Sequence, residues 1–124
     1  MTLRKILLVD DEADIRLVAE ISLSNLGGWQ VIQAASGPEA LDLAARELPD
    51  LVLLDVMMPG MDGPTTLLRL RALSGGEATP VIFMTAKVQR AEIDRLLSLG
   101  VRGLIPKPFD PMTLPHDIRR ILGG

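Results

Sequence analysis

A chain of 124 residues, 48% of them apolar, is long enough to bury one real core and too apolar to be disordered. A net charge of −3 gives no electrostatic footing for nucleic acid or a membrane surface. Aromatics at 2%, with no tyrosine, offer no platform for stacking bases. Cysteine is absent, which removes disulfides, thiolate chemistry and sulfur-ligated metals together. No signal-peptide pattern opens the chain and no apolar stretch approaches bilayer length, so the cytoplasm is the expected compartment.

Strand-like and helix-like segments alternate from end to end. Leu7-Leu8-Val9 forms a first strand that runs into Asp10-Asp11-Glu12. The helix after it carries Ile15, Val18, Ala19, Leu23 and Leu26 on one stripe and stops at Gly27-Gly28. Trp29 to Ala34 reads as a second strand, and Ser36 with Glu39 predicts a capping box for a helix faced by Leu41, Ala44 and Leu48. Pro49 ends that helix, and Leu51 to Leu54 forms a third strand ending at Asp55. Gly63-Pro64 suits a turn with proline at the first helical position, leading to Leu67, Leu68 and Leu70. After the loose Ser74–Glu77 loop and Pro80, Val81 to Met84 forms a fourth strand that ends at Thr85. Ile93, Leu96 and Leu97 face the next helix inward and Gly100 closes it. The fifth strand, Gly103 to Pro106, meets Lys107, and a last helix ends at Leu122.

Five strands alternating with five helices predict an α/β domain, flavodoxin-like and doubly wound, around a five-stranded parallel sheet. Right-handed crossovers leave few topologies, and the order 2-1-3-4-5 is the usual one for five strands. Residues 1–124 are expected to form a single domain, with no output domain after Leu122. In such a sheet the strand ends lie along one edge, and ligands bind beside the switch point between strands one and three. Those strands end at Asp10-Asp11 and Asp55.

Three acids at one edge repel each other unless a cation sits among them. A divalent, oxygen-loving ion such as Mg2+ fits, whereas zinc is poorly served by a chain with one remote histidine. Lys107 adds a second positive charge. Ion and ammonium together could neutralise a phosphoryl group during transfer onto a carboxylate, a reaction governed by positioning and charge stabilisation. Asp55, standing alone, is the best nucleophile; Asp10 and Asp11, adjacent, are better placed to share an ion.

The segments Leu-Val-Asp-Asp-Glu (8–12), Asp-Val-Met-Met-Pro-Gly-Met-Asp-Gly (55–63), Met-Thr-Ala (84–86) and Lys-Pro-Phe (107–109), in this order, resemble a CheY-like response-regulator receiver domain over nearly the whole chain. The resemblance implies that Asp55 accepts phosphate from a histidine of a sensor kinase or phosphotransfer protein, or from a small phosphodonor. It implies Mg2+ on Asp10, Asp11, Asp55 and the backbone carbonyl of Met57, a Thr85 hydrogen bond to the phosphoryl group, and pairing of Lys107 with it. It also implies a cis Lys107-Pro108 bond and, instead of enzymatic turnover, a switch. The added charge, about −1.5 to −2 for a phosphate on a hydroxyl residue, would bias the fourth helix, fifth strand and last helix toward a downstream protein. No nucleic-acid or membrane partner is implied, and the expected state is a monomer or weak dimer.

Two departures from the family pattern stand out. Leu104 occupies a position usually held by Tyr or Phe, so switching through an aromatic ring is not expected. Pro115 deletes a hydrogen bond if the last helix begins at Pro111, which predicts a late start near Leu114, or a bend. Met57 and Lys87 flank the site at positions the family varies to set phosphate lifetime.

Plainer roles exist for each residue. Asp10-Asp11 can cap a helix, Asp55 can serve a turn before Pro59-Gly60, Thr85 can cap, and Lys107 can be solvated. Met57, Met58 and Met61 read as packing and loop anchors, His116 as a surface residue, Trp29 as packing where the first helix meets a strand, and Arg119-Arg120 as a solvated patch. Three other functions remain open. A magnesium-dependent phosphatase with an aspartyl nucleophile would need a second acid where Met57 stands. A flavin carrier would need hydroxyls and glycine where Asp10-Asp11 stand. An interaction module would use neither metal nor phosphate.

Overall fold

Short runs of leucine and β-branched residues become parallel strands because helices cover both their faces. The computed structural model describes residues 2–123; Met1 and Gly124, the ends of the predicted domain, lie outside the described residues. Its strands are β1 (Lys5–Val9), β2 (Gln30–Ala34), β3 (Leu51–Asp55), β4 (Val81–Thr85) and β5 (Gly103–Pro106). They pair in parallel in the order β2-β1-β3-β4-β5, as the sequence predicts. The helices are α1 (Ala13–Ile21), α2 (Gly37–Glu47), α3 (Gly63–Arg71), α4 (Arg90–Leu97) and α5 (Leu114–Ile121).

Alternation along the strands divides the core in two. Leu7, Val9, Val52, Leu54, Val81 and Phe83 pack with Ala40 and Ala44 of α2, Leu67 and Leu70 of α3, and Leu96 of α4. On the other face Ile6, Leu8, Leu51, Leu53, Ile82 and Met84 pack with Ala19, Leu23, Leu114 and Ile118. Helices thus cover both faces of the sheet and keep both apolar layers from water. No helix among the described residues is long and apolar enough to cross a membrane.

Several helix faces differ from expectation. The chain after α1 continues as a π-helical turn, Ser22–Leu26, before Gly27. The wider turn shifts the phase of the apolar stripe, leaving Leu26 51% exposed while Leu23 is fully buried; Val18, on the margin, is 41% exposed. In α3, Leu67 and Leu70 are buried but Leu68 faces solvent, and in α4 only Leu96 is buried outright, with Leu97 exposed. Leu68 lies about 100° around the α3 axis from Leu67, outside the stripe that Leu67 and Leu70 share.

The helix ends follow local chemistry. Ser36 Oγ accepts the Glu39 N–H at 3.3 Å, while Glu39 Oε1 accepts the Ala35 N–H at 2.6 Å, one residue earlier than a reciprocal box requires. Asp62 caps α3 by accepting the Thr65 N–H at 2.9 Å, and Pro64 follows Gly63 as the second helical residue. Leu48 closes α2 in the left-handed region (φ 49°) and is exposed, not part of the helix's buried face. α5 begins at Leu114, the late start that Pro115 predicts.

Candidate functional site

Parallel pairing carries the strand ends to one edge. Asp10 follows β1, and its N–H donates to the Ala34 carbonyl at 3.2 Å. Asp55 ends β3 opposite Met84 in the register, and Thr85 lies opposite Pro106. The Lys107 N–H donates to the Thr85 carbonyl at 2.8 Å, which fixes where the lysine leaves the sheet. The Lys107-Pro108 bond is cis.

Lys107 Nζ lies 3.0 Å from Asp10 Oδ2 and 3.3 Å from Asp55 Oδ1. Asp10 is 0% and Asp55 2% exposed, so the ammonium sits between two carboxylates removed from water. Glu12 Oε1 approaches the same ammonium at 3.9 Å from the solvent side. The sequence reading assigned Glu12 nothing; its signal is the unbroken acidic triplet after β1. Asp10 Oδ1 also accepts the Glu12 N–H at 2.9 Å, so capping geometry and pocket geometry coexist in one residue.

Burial pushes the Asp55 carboxyl up to about 6, from an ordinary value of 3.8. The negative charge of Asp10 pushes the same way, against Lys107 and the Met57 backbone amide, which favour the ionised form. For Lys107, burial opposes the charge. Its hydrogen bond to Asp10 and the charges of Asp55 and Asp10 outweigh that penalty and hold its pKa above the ordinary 10.5.

Oxygen atoms of Asp10, Asp11 and Asp55 lie within 4.8 Å of one another, with Asp11 on the open side. Three carboxylates against one ammonium leave uncompensated negative charge, and the donors are all oxygen. Such a set fits a hard divalent cation that keeps part of its water shell. Thr85 is buried and its hydroxyl accepts the Lys87 N–H at 3.0 Å; the cap position of α4 belongs to Gln89, so Thr85 does not cap that helix.

Of the methionines after Asp55, Met58 is buried, Met61 is partly buried and Met57 is 59% exposed beside the pocket. Met57 is therefore not a packing residue. His116 is exposed. Arg119 is more than a solvated charge, because its guanidinium lies 4.5 Å from the Trp29 ring centroid and donates to the Gly27 carbonyl at 2.9 Å. Leu104, partly buried, lines a cleft of ≈ 360 Å³ with Lys87, Val88, Ile93 and Leu97.

Gly63 presses α3 against the strand end. A Cβ there would meet the Asp55 carbonyl oxygen at 2.5 Å and Val56 Cα at 2.8 Å, both backbone atoms with little room to give. Gly63→Ala is expected to lower stability by about 3 kcal/mol in urea unfolding. It is also expected to displace Asp55 enough to slow its reaction with acetyl phosphate.

Comparison with known proteins agrees with this geometry. The family profile "Response regulator receiver domain" matches residues 6–119. Sporulation initiation phosphotransferase F of Bacillus subtilis is 43% identical over 118 residues, covering 95% of this chain and 93% of that protein. The protein named "Probable transcriptional regulator ycf27" of Guillardia theta is 41% identical over 121 residues, 98% of this chain but only 46% of its own length. The chain thus spans about half the length of the first curated relatives it matches. Among solved structures, the chemotaxis response regulator CheY4 of Vibrio cholerae superposes with a TM-score of 0.88 at 32% identity, covering 97% of this chain and 99% of that one. Fold, site and kinship agree: the chain belongs to the CheY-like response regulator receiver domains of two-component signalling, and its acidic pocket of Asp10, Asp11 and Asp55 fits the phosphoacceptor site of that family.

Proposed function

We propose that Asp55 takes a phosphoryl group from a histidine of a sensor kinase or phosphotransfer protein, in a magnesium-dependent step that switches a surface for a downstream protein. The observation that carries this reading is one ammonium, Lys107, within 3.3 Å of both the nucleophile candidate and a neighbouring acid, each of them buried. An Asp55 carboxylate oxygen attacks phosphorus, the phosphorus–nitrogen bond to the donor imidazole breaks, and the imidazole leaves with that electron pair. Asp10, Asp11, Asp55 and the Met57 carbonyl would hold magnesium, which supplies charge neutralisation at the phosphoryl oxygens. Lys107 turns toward the new phosphoryl group, and the Thr85 hydroxyl donates to it.

Met57 stands where an aspartyl phosphatase would carry a second acid, which supports a stoichiometric acceptor and not a turnover enzyme. The cleft beside Leu104, between α4 and β5, supports an effector surface there. The chain acts in the cytoplasm as a monomer or weak dimer, without nucleic acid or membrane. Incubation with acetyl phosphate and magnesium, read by intact mass, is expected to add one phosphoryl group to the wild type and none to Asp55→Asn. Labelling of both, or of neither, refutes the assignment.

A further inference from the structure

Arg16, on α1, turns back toward the sheet instead of into solvent. Its Nη1 donates to the Asp10 carbonyl at 2.7 Å. Its Nε donates to the Gln33 side-chain oxygen, on β2, at 3.1 Å. The Gln33 amide nitrogen in turn donates to Glu20 at 2.8 Å. The phosphoryl transfer proposed above uses none of these groups.

The Asp10 carbonyl belongs to the peptide that joins Asp10 to Asp11. Asp10 is already held at its own N–H by Ala34 and at its carboxylate by the Glu12 N–H and Lys107. Asp11 is exposed, and the plane of the peptide before it is one constraint on where its side chain can point. A planar guanidinium anchored at a second point on Gln33 can hold that carbonyl in one orientation. A single ammonium on a flexible stem cannot.

We infer that Arg16, braced by Gln33 and Glu20, is a positioning residue that fixes the Asp10–Asp11 peptide and so aims the Asp11 carboxylate at the divalent cation. This rests on the magnesium-dependent reading of the site. Charge and orientation predict opposite signs here. A guanidinium held at the Asp10 carbonyl repels a cation bound by the neighbouring carboxylates, so its removal would tighten magnesium binding if charge alone mattered. If it orients a ligand, its removal loosens binding, and outer partners of metal ligands typically contribute 10–100-fold in affinity.

The test is a calorimetric magnesium titration of the whole chain as wild type, Arg16→Ala, Arg16→Lys and Gln33→Met. Each variant is checked for its fold by circular dichroism and for labelling by acetyl phosphate. Arg16→Ala is expected to bind magnesium about tenfold more weakly. Arg16→Lys should stay close to that value, because the charge is kept and the fork lost, and Gln33→Met should show a smaller loss. At saturating magnesium the labelling rate returns to that of the wild type in all three. Unchanged or tighter binding in the folded variants overturns the inference, as does full rescue by Arg16→Lys. A loss of stability with no change in magnesium affinity also overturns it, since that marks a purely structural role. If Arg16→Ala does not fold, Gln33→Met decides by the same criteria. A wild type that fails to bind magnesium overturns the site reading as well, whereas a binding wild type with unaffected variants removes Arg16 alone.

Discussion

At about pH 7.5, Asp55→Asn should unfold at a higher urea concentration than the wild type, and the two curves should converge as pH falls toward 4. The sign follows from the carboxyl's shift. Its pKa is near 6 in the folded chain and near 3.8 when unfolded, so the folded state binds the proton more tightly. Stability from this group is complete below the unfolded value, declines as pH rises between the two, and stays low above 6. The full interval corresponds to about 3 kcal/mol, an upper figure because an asparagine also forgoes the attraction to Lys107. Magnesium should reverse the trend for the wild type: it should raise the unfolding midpoint at neutral pH, do little near pH 4.5, and do less for Asp55→Asn at either pH. Equal stability of the two proteins at neutral pH would mean that ionised Asp55 is not penalised by its surroundings.

Lys107→Met is expected to have the larger cost. It leaves Asp10 and Asp55 buried with no cation between them, and breaking such a pair from one side typically costs about 3–5 kcal/mol at neutral pH. Part of that loss should return on adding magnesium, which supplies the missing charge. The difference from wild type should shrink below about pH 6, where Asp55 is protonated. On the alkaline side the stabilisation by Lys107 is present below the ordinary 10.5 and is lost only as pH rises through its raised folded value. Labelling of Asp55 should slow by on the order of a hundredfold even at saturating magnesium, since a preorganised positive charge at the developing phosphoryl oxygens is gone. Unfolding curves at several pH values, with a single-turnover labelling assay, measure both effects.

The two variants separate the roles of neighbouring groups. Asp55→Asn removes the nucleophile and relieves repulsion, so reactivity vanishes while stability rises. Lys107→Met retains the nucleophile and increases repulsion, so both fall. A site selected for stability alone would not bury an acid where its ionisation weakens the fold; that trade suits a residue kept for reaction.

Much of the architecture was legible locally. The strands β3 and β4 are apolar at nearly every position, which marks them as covered on both faces, and each ends at the residue that serves the pocket. Pro115 foretold where α5 begins, and the capping signals at Ser36 and Gly63-Pro64 located α2 and α3 to within a residue or two. The helix faces were less legible. Val18, Leu26, Leu68 and Leu97 all sit where an ideal period admits a buried residue, yet each is exposed. The π-helical turn at Ser22 changes the phase of the first helix, and no residue type within it announces that change. Arg119 read as a solvated cation because its partner Trp29 is distant in sequence.

What the sequence determined by itself is which segments pair as strands and which acids, hydroxyl and lysine terminate them, because apolar patterning and breaker residues act over a few positions. The tertiary structure alone decided that Lys107 is shared between Asp10 and Asp55, that Asp55 is buried enough to shift its ionisation, and that Arg16 reaches the carbonyl before Asp11. Those outcomes depend on distances across four strands of a parallel sheet and on how far the helices exclude water, quantities that sum over the whole fold and are written in no single stretch of it.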